Sequence, residues 1–217
     1  MNINYHKLCL EELSKVDKPR KILLHSCCAP CSSYVITFLS NYLDITILYY
    51  NPNISPKEEY EKRKQEQIKL IKNIKTKNKL DYLDCDYEND IYNKSVMGYE
   101  TCLEGGSRCH ICFNLRLDKT AKLAKQYNYD YFGSTLTVSP HKNSKIINEI
   151  GEKISQQYQI KWLYSDFKKN EGFKQSIELS KKYELYRQDY CGCIYSKKAR
   201  EKQEITNYDM NPVSWTK

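Results

Sequence analysis

No apolar run in this 217-residue sequence approaches the roughly 20 residues that cross a bilayer. The stretch Met1-Asn2-Ile3-Asn4-Tyr5-His6-Lys7 lacks the charged-then-apolar layout of a secretory signal. These absences argue against a membrane-embedded or exported chain, and a reducing cytoplasm is the expected setting. There is no G-x-x-x-x-G-K-[ST] loop to cradle nucleotide phosphates and no G-x-G-x-x-G turn for a dinucleotide. The H-x-E and P-C-x-x-C pairing of a zinc deaminase is missing as well. Any redox chemistry must then draw on an external electron donor. Internal repeats, low-complexity tracts and linkers are also lacking, so residues 1–217 are read as one domain. A chain of this length builds a core without disulfide staples.

Cysteine is nevertheless plentiful. Seven of the ten fall into three groups: Cys27-Cys28-Ala29-Pro30-Cys31, Cys109-His110-Ile111-Cys112 and Cys191-Gly192-Cys193. Thiolates are soft ligands that select iron–sulfur clusters, zinc or copper(I), and they are redox centres themselves. In a loop entering a helix, Cys27 and Cys28 can turn both sulfurs to one centre, while exposed backbone N–H groups stabilise their charge. Cys109 and Cys112 open a helix and share one of its faces. Two plus two thiolates meet the demand of a [4Fe–4S] cluster, and equally that of a structural zinc. A one-residue spacer makes Cys191 and Cys193 awkward joint ligands but permits a strained disulfide of the kind that cycles; further ligation or simple burial is the alternative. Cys31 is a fifth thiol beside the four, a candidate ligand for a second metal or a spare. Cys9, Cys85 and Cys102 stand alone and read as structural thiols. His25 reads as satisfying a backbone carbonyl, and His141 as solvent-exposed.

Apolar patterning alternates short strands with amphipathic helices. Helices are expected over Tyr5–Val16, Ser32–Leu43, Ser55 to about Lys77, Cys109–Tyr127, Asn143–Gln157 and Gly172–Arg187. Strands are expected over Ile22–Ser26, Ile45–Tyr50, Leu80–Tyr87, Tyr129–Val138 and Ile160–Tyr164, with an irregular excursion at about 88–108. Ser55 is expected to cap its helix, with Pro56 at the first helical position. The order predicts an α/β fold, a three-layer Rossmann-like (HUP-like) parallel sheet with helices on both faces. The cysteine-rich metal site then belongs at the C-terminal ends of the strands, because the first cysteine group follows the first strand. Lys and Arg exceed Asp and Glu by 35 to 27, a net charge of +8 that favours a polyanionic partner. The lysine- and tyrosine-rich composition of AT-rich genomes accounts for the same balance.

With these residues in hand, the chain resembles the cobalamin-independent epoxyqueuosine reductases, the QueH family. The resemblance rests on His25-Ser26-Cys27-Cys28-Ala29-Pro30-Cys31, Tyr50-Asn51-Pro52-Asn53-Ile54 with Glu59, Tyr60 and Arg63, and Arg108-Cys109-His110-Ile111-Cys112 with Arg116. It continues through Ser134-Thr135-Leu136, Ser139-Pro140, Asp166-Phe167-Lys168-Lys169 and Tyr186-Arg187-Gln188-Asp189-Tyr190-Cys191-Gly192-Cys193. It implies a tRNA-modifying oxidoreductase of queuosine biosynthesis that turns the epoxide of wobble-position epoxyqueuosine into an alkene. Cys27, Cys28, Cys109 and Cys112 would bind a [4Fe–4S] cluster, Cys191 with Cys193 would form a redox-active disulfide, and Cys31 would neighbour an additional iron. Arg63, Arg108, Arg116 and Arg187, with Lys142, Lys168 and Lys169, are candidates for a tRNA-binding groove. A zinc-bearing tRNA-binding module and an iron–sulfur oxidoreductase for a small metabolite are the competing readings.

Overall fold

The computed structural model describes residues 3–210, with side chains described through residue 202. Five parallel strands form its sheet: β1 (Arg20–His25), β2 (Leu43–Leu48), β3 (Leu80–Leu83), β4 (Tyr131–Ser134) and β5 (Lys161–Trp162), in the order β3-β2-β1-β4-β5. The helices are α1 (Tyr5–Leu13), α2 (Ala29–Leu39), α3 (Lys57–Asn73), α4 (Asn89–Ser95), α5 (Ser107–Gln126), α6 (Ser144–Tyr158), α7 (Gly172–Lys182) and α8 (Ile194–Met210).

β1 shows why its sequence is continuously apolar. Ile22 and Leu24 pack toward α1, α2 and α3, whereas Leu23, between them, packs with Phe113, Leu117 and Ala121 of α5 and Ile147 and Ile154 of α6. A strand covered on both faces has no solvent side on which to place polar residues. All three side chains are fully buried, and each such burial stabilises by about 1.5–3 kcal/mol relative to exposure. This is the three-layer arrangement expected from the sequence. The chain leaves β1 for β2 and β3 on one side and returns to β4 and β5 on the other. The point of reversal therefore lies between the carboxyl ends of β1 and β4, where open α/β sheets leave a crevice.

Several boundaries differ from the sequence reading, each for a local reason. α2 starts at Ala29, not Ser32: Cys28 is its extended N-cap and Pro30 lies in the first turn, which brings Cys31 onto the helix. α3 starts at Lys57, with Pro56 rather than Ser55 at the cap position and Glu58 and Glu59 placed against the helix dipole. β3 stops at Leu83 because the Asp84 carboxylate accepts the Cys85 N–H at 2.8 Å and turns the chain. β4 gives way to a 3-10 turn, Thr135–Val138, whose Leu136 N–H donates to Ser134 Oγ at 3.2 Å. α7 ends at Lys182, before Glu184 takes a left-handed φ of 50°. The excursion carries the short helix α4. No expectation anticipated α8.

α6 lies close to β5 at Gly151. A Cβ built there would sit 2.4 Å from the indole carbons of Trp162. The Trp162 Nε1–H donates to Asn148 Oδ1 at 3.0 Å, so the ring is pinned and cannot yield. Gly151→Ala is expected to cost about 1–3 kcal/mol through overpacking, read as a lower urea midpoint; an unchanged midpoint would show that the ring repacks freely.

Candidate active site

The first cysteine group stands at the crevice. Cys27 Sγ and Cys28 Sγ are 3.9 Å apart, and with Cys31 Sγ they form a set within 4.8 Å of one another. Among the described residues this is the group of three or more ligand atoms gathered closely enough to hold one metal ion. The nest is anchored from both sides of the sheet reversal. The Cys27 N–H donates to Thr135 Oγ1 at 3.2 Å, just past β4. Behind it, Ser26 Oγ lies 2.5 Å from Ser32 Oγ and 2.6 Å from Gln67 Oε1, a buried polar network that fastens the loop to α3. Asn51 Nδ2 donates to the Ser26 carbonyl at 2.8 Å.

The electrostatics of the nest are uneven. Cys28 and Cys31 donate to Cys27, whose thiol is thereby held well below the usual range despite its burial; Lys142 and the Thr135 hydroxyl act in the same direction. Cys28 and Cys31 are pushed up in turn, first by that shared proton arrangement and then by burial. Binding a metal there releases protons.

A pocket opens beside the nest. Its wall includes Cys109 and Cys112 on the first turns of α5, Cys191 and Cys193 before α8, and Arg116 and Lys142. Burial works against the Arg116 charge, but the sulfurs of Cys112, Cys191 and Cys27 outweigh it and hold the guanidinium pKa up. Lys142 is held up in the same way by Cys191, Cys27 and Cys31. The two cations therefore link all three cysteine groups. Burial pushes the Cys112 thiol up to about 12 against Arg116, and it raises Cys109 against the Gly105 N–H, which donates to that sulfur at 3.2 Å.

The Cys191-Gly192-Cys193 loop is held in place by Arg63. This side chain, 2% exposed, pairs with Glu59 through Nε at 2.7 Å and donates from Nη1 to the Cys191 carbonyl at 3.3 Å. Its guanidinium carbon lies 4.9 Å from the centre of the Tyr190 ring. Gly192 has φ 126°, and a Cβ there would come within 2.9 Å of Ile54 and 3.0 Å of Arg63 Nη1, so only glycine closes this turn.

The family model described as "Epoxyqueuosine reductase QueH" matches residues 22–199. The chain belongs to the QueH family. It is 44% identical over 202 residues to "Epoxyqueuosine reductase QueH" of Streptococcus pyogenes serotype M1, covering 90% of this chain and 79% of the relative. The relatives of the same name from Staphylococcus epidermidis and Thermotoga maritima are 44% and 34% identical, covering 89% and 81% of this chain and 84% and 89% of theirs. Among solved structures, NMN synthetase from Francisella tularensis has 9% identity and a TM-score of 0.35 over 100% of this chain and 99% of its own, too slight a likeness to bear on the fold.

In this QueH chain the residues singled out from sequence fall into two sets. The seven grouped cysteines converge around Arg116 and Lys142. Cys9 is fully buried in the core, as expected, and Cys85 and Cys102 lie half-buried outside the nest. His25 is buried between Ser134 Oγ, 2.9 Å away, and the Tyr50 carbonyl, 3.1 Å away, and burial brings its pKa down to about 3, so the imidazole is neutral. That is the carbonyl-satisfying role expected of it. His141 is exposed.

Three of the four arginines named as candidates for a tRNA-binding groove are buried in this structure. Arg63, Arg108 and Arg116 are 2–3% exposed. Arg108 donates to the carbonyls of Tyr99, Glu100 and Cys102 and so ties down the excursion, while Arg116 donates to the Cys112 carbonyl and Asn51 Oδ1. Their charges face inward, toward sulfur and backbone, and in this conformation do not meet phosphate. Of the four, only Arg187 is exposed. Sequence reasoning passed over Thr135 as a partner of Cys27, Tyr92 beside Cys193, and Ser196 beneath it. Nothing in their local sequence marks them, since they meet the thiols only through the fold.

Arg63→Met should leave the Glu59 carboxylate, 13% exposed, without its cation. The expected stability loss is about 3 kcal/mol, at the low end for breaking a buried pair. Trypsin should also cut faster between Arg187 and Lys197, and an unchanged cleavage rate would mean that other contacts hold the loop.

Proposed function

We propose that this chain is an epoxyqueuosine reductase that removes the epoxide oxygen of epoxyqueuosine at the tRNA wobble position to give queuosine. The observation that carries the reading is the convergence of three cysteine groups on one crevice at the sheet reversal, in a chain of the QueH family. The reaction is a two-electron reduction: epoxide plus two electrons and two protons yields alkene and water.

The residues suit a thiophilic centre. The nest offers sulfur without carboxylate, and Arg116 Nη2 is buried without a hydrogen-bond partner in a cysteine-walled pocket, a donor left for a sulfide or a substrate oxygen. In this reading Cys27, Cys28, Cys109 and Cys112 hold a [4Fe–4S] cluster, and Cys31 contributes to an additional iron. When bound, these metals supply single electrons and a Lewis-acid site for the epoxide oxygen. The protein's own part is electrostatic and acid–base. Arg116 and Lys142 bring positive charge to the place where an alkoxide develops, and Lys142 Nζ holds a proton at the pocket wall. In passing from dithiol to disulfide, Cys191 and Cys193 release the two electrons and two protons that the reaction consumes, and an external donor restores them.

The substrate is tRNA carrying the modified base in its anticodon loop, with that base turned out into the pocket. Phosphate contacts fall to exposed cations such as Arg187 and Lys169. In the described part, no helix is long and apolar enough to cross a membrane.

Anaerobically purified protein should contain about four irons or slightly more and convert epoxyqueuosine tRNA when given a strong reductant, measured by mass spectrometry of the nucleosides. Colourless protein holding zinc alone would overturn the reading. Iron counts also separate the ligand roles. Cys109→Ser should lose the cluster, and Cys31→Ser should lose about one iron and keep the cluster absorbance. The reverse pattern would put Cys31 in the cluster's ligand set.

A further inference from the structure

The two thiols of the Cys191-Gly192-Cys193 loop occupy different surroundings. Cys191 is half-buried and lines the pocket, with its carbonyl fixed by Arg63. Cys193 is 7% exposed and is the residue immediately before α8. Its sulfur takes the place of a capping oxygen: the Ser196 N–H, three residues on, donates to Cys193 Sγ at 3.4 Å. Ser196 itself is 4% exposed, and its Oγ lies 3.4 Å from the same sulfur while donating to the Cys193 carbonyl at 2.9 Å and accepting the Gly192 N–H at 3.3 Å. The buried Tyr92 of α4 packs in the same cluster as Cys193. Both residues line the pocket, but Cys191 is the more exposed, and Cys193 is the more buried and accepts an N–H at a helix N-terminus.

We infer that Cys191 is the sulfur an external dithiol donor attacks and that Cys193 is the sulfur that leaves. The inference rests on the reading of this pair as a cycling disulfide. In the oxidised form, a donor thiolate forms a new S–S bond to Cys191 Sγ. The Cys191–Cys193 bond breaks, and its electron pair goes to Cys193 Sγ, which leaves as a thiolate. Exchange needs the attacking sulfur in line with the bond and a stabilised leaving group. The Ser196 N–H and the N-terminus of α8 supply that stabilisation. The donor's second thiolate then attacks its own sulfur in the mixed disulfide and frees Cys191. The donor ends as a disulfide, and the pair gains two electrons together with the two protons given up by the donor thiols. In the opposite placement, a donor would have to attack the more buried of the two sulfurs, and Cys191 would have to leave without the Ser196 N–H and the helix N-terminus to stabilise it.

The test uses the whole metal-bound protein, oxidised and then treated briefly with glutathione, a monothiol that cannot complete the exchange. After acid quenching, the tryptic peptide of residues 188–197 holds both sulfurs, and fragmentation locates the adduct. Glutathione is expected on Cys191 in about tenfold or greater excess over Cys193; equal labelling, or an excess on Cys193, overturns the assignment. Ser196→Pro, in the first turn of α8 where proline is tolerated, removes the backbone N–H that donates to the leaving sulfur and should slow adduct formation several-fold, up to about tenfold, without moving the adduct from Cys191. An unchanged rate in that variant also counts against Cys193 as the leaving group. If the oxidised protein shows no Cys191–Cys193 disulfide before glutathione is added, the cycling pair itself is refuted and the assignment falls with it, an outcome distinct from a misplaced adduct.

Discussion

Positive charge buried among sulfurs is the constraint on which the rest of this structure turns. Arg116 is buried where a cation would ordinarily be too costly, with Lys142 half-buried nearby, and the neighbouring sulfurs of Cys27, Cys31, Cys112 and Cys191 favour the charged form of one or both. The dependence runs both ways. Seven thiols crowded at one crevice could not carry negative charge together without cations within reach, and in an apolar wall they would stay protonated and poor as ligands. Arg63 extends the same logic outward: paired with Glu59, it holds the carbonyl of Cys191 and so brings the third cysteine group to the other two. The docking of the Cys191–Cys193 loop against the other two cysteine groups is thus tied to one charge balance.

The fold places that balance at a general feature of α/β sheets, the reversal between β1 and β4. Cys27 follows one of these strands and Thr135 the other, and the hydrogen bond between them spans the gap. The rigid part of the site is therefore built on two central strands and the start of α2. The remaining cysteines arrive on helix starts, Cys109 and Cys112 on α5 and Cys193 before α8. Helix N-termini recur at this site because each presents unpaired N–H groups to sulfur.

Much of this was legible in the residues. The run Ile22-Leu23-Leu24 announced a strand covered on both faces, and cysteine spacing alone marked the groups that converge. What stayed hidden has physical reasons. Arg63, Arg108 and Arg116 look like surface cations in any sequence, because burial of a guanidinium depends on distant carbonyls, carboxylates and sulfurs. Cys31 read as a fifth thiol beside a set of four, a second-metal ligand or a spare; with α2 beginning at Ala29, its sulfur lies within 4.8 Å of those of Cys27 and Cys28. The strands expected beyond Leu83 and Ser134 were cut short by side chains, Asp84 and Ser134, that capture nearby backbone N–H groups. Apolar periodicity carries no record of such captures. The charged face of α8, with weak apolar patterning, gave the sequence reading nothing to follow.

The order of the sulfurs along the chain has a consequence for biosynthesis. A ribosome delivers Cys27, Cys28 and Cys31 first, Cys109 and Cys112 some eighty residues later, and Cys191 and Cys193 after a similar interval. The loop with Gly192 at its tip forms one wall of the pocket, and Arg63 has no carbonyl of Cys191 to grip until that loop has been made. Over the roughly eighty residues between Cys112 and Cys191, the nascent chain therefore presents its first two thiol groups with one side unroofed.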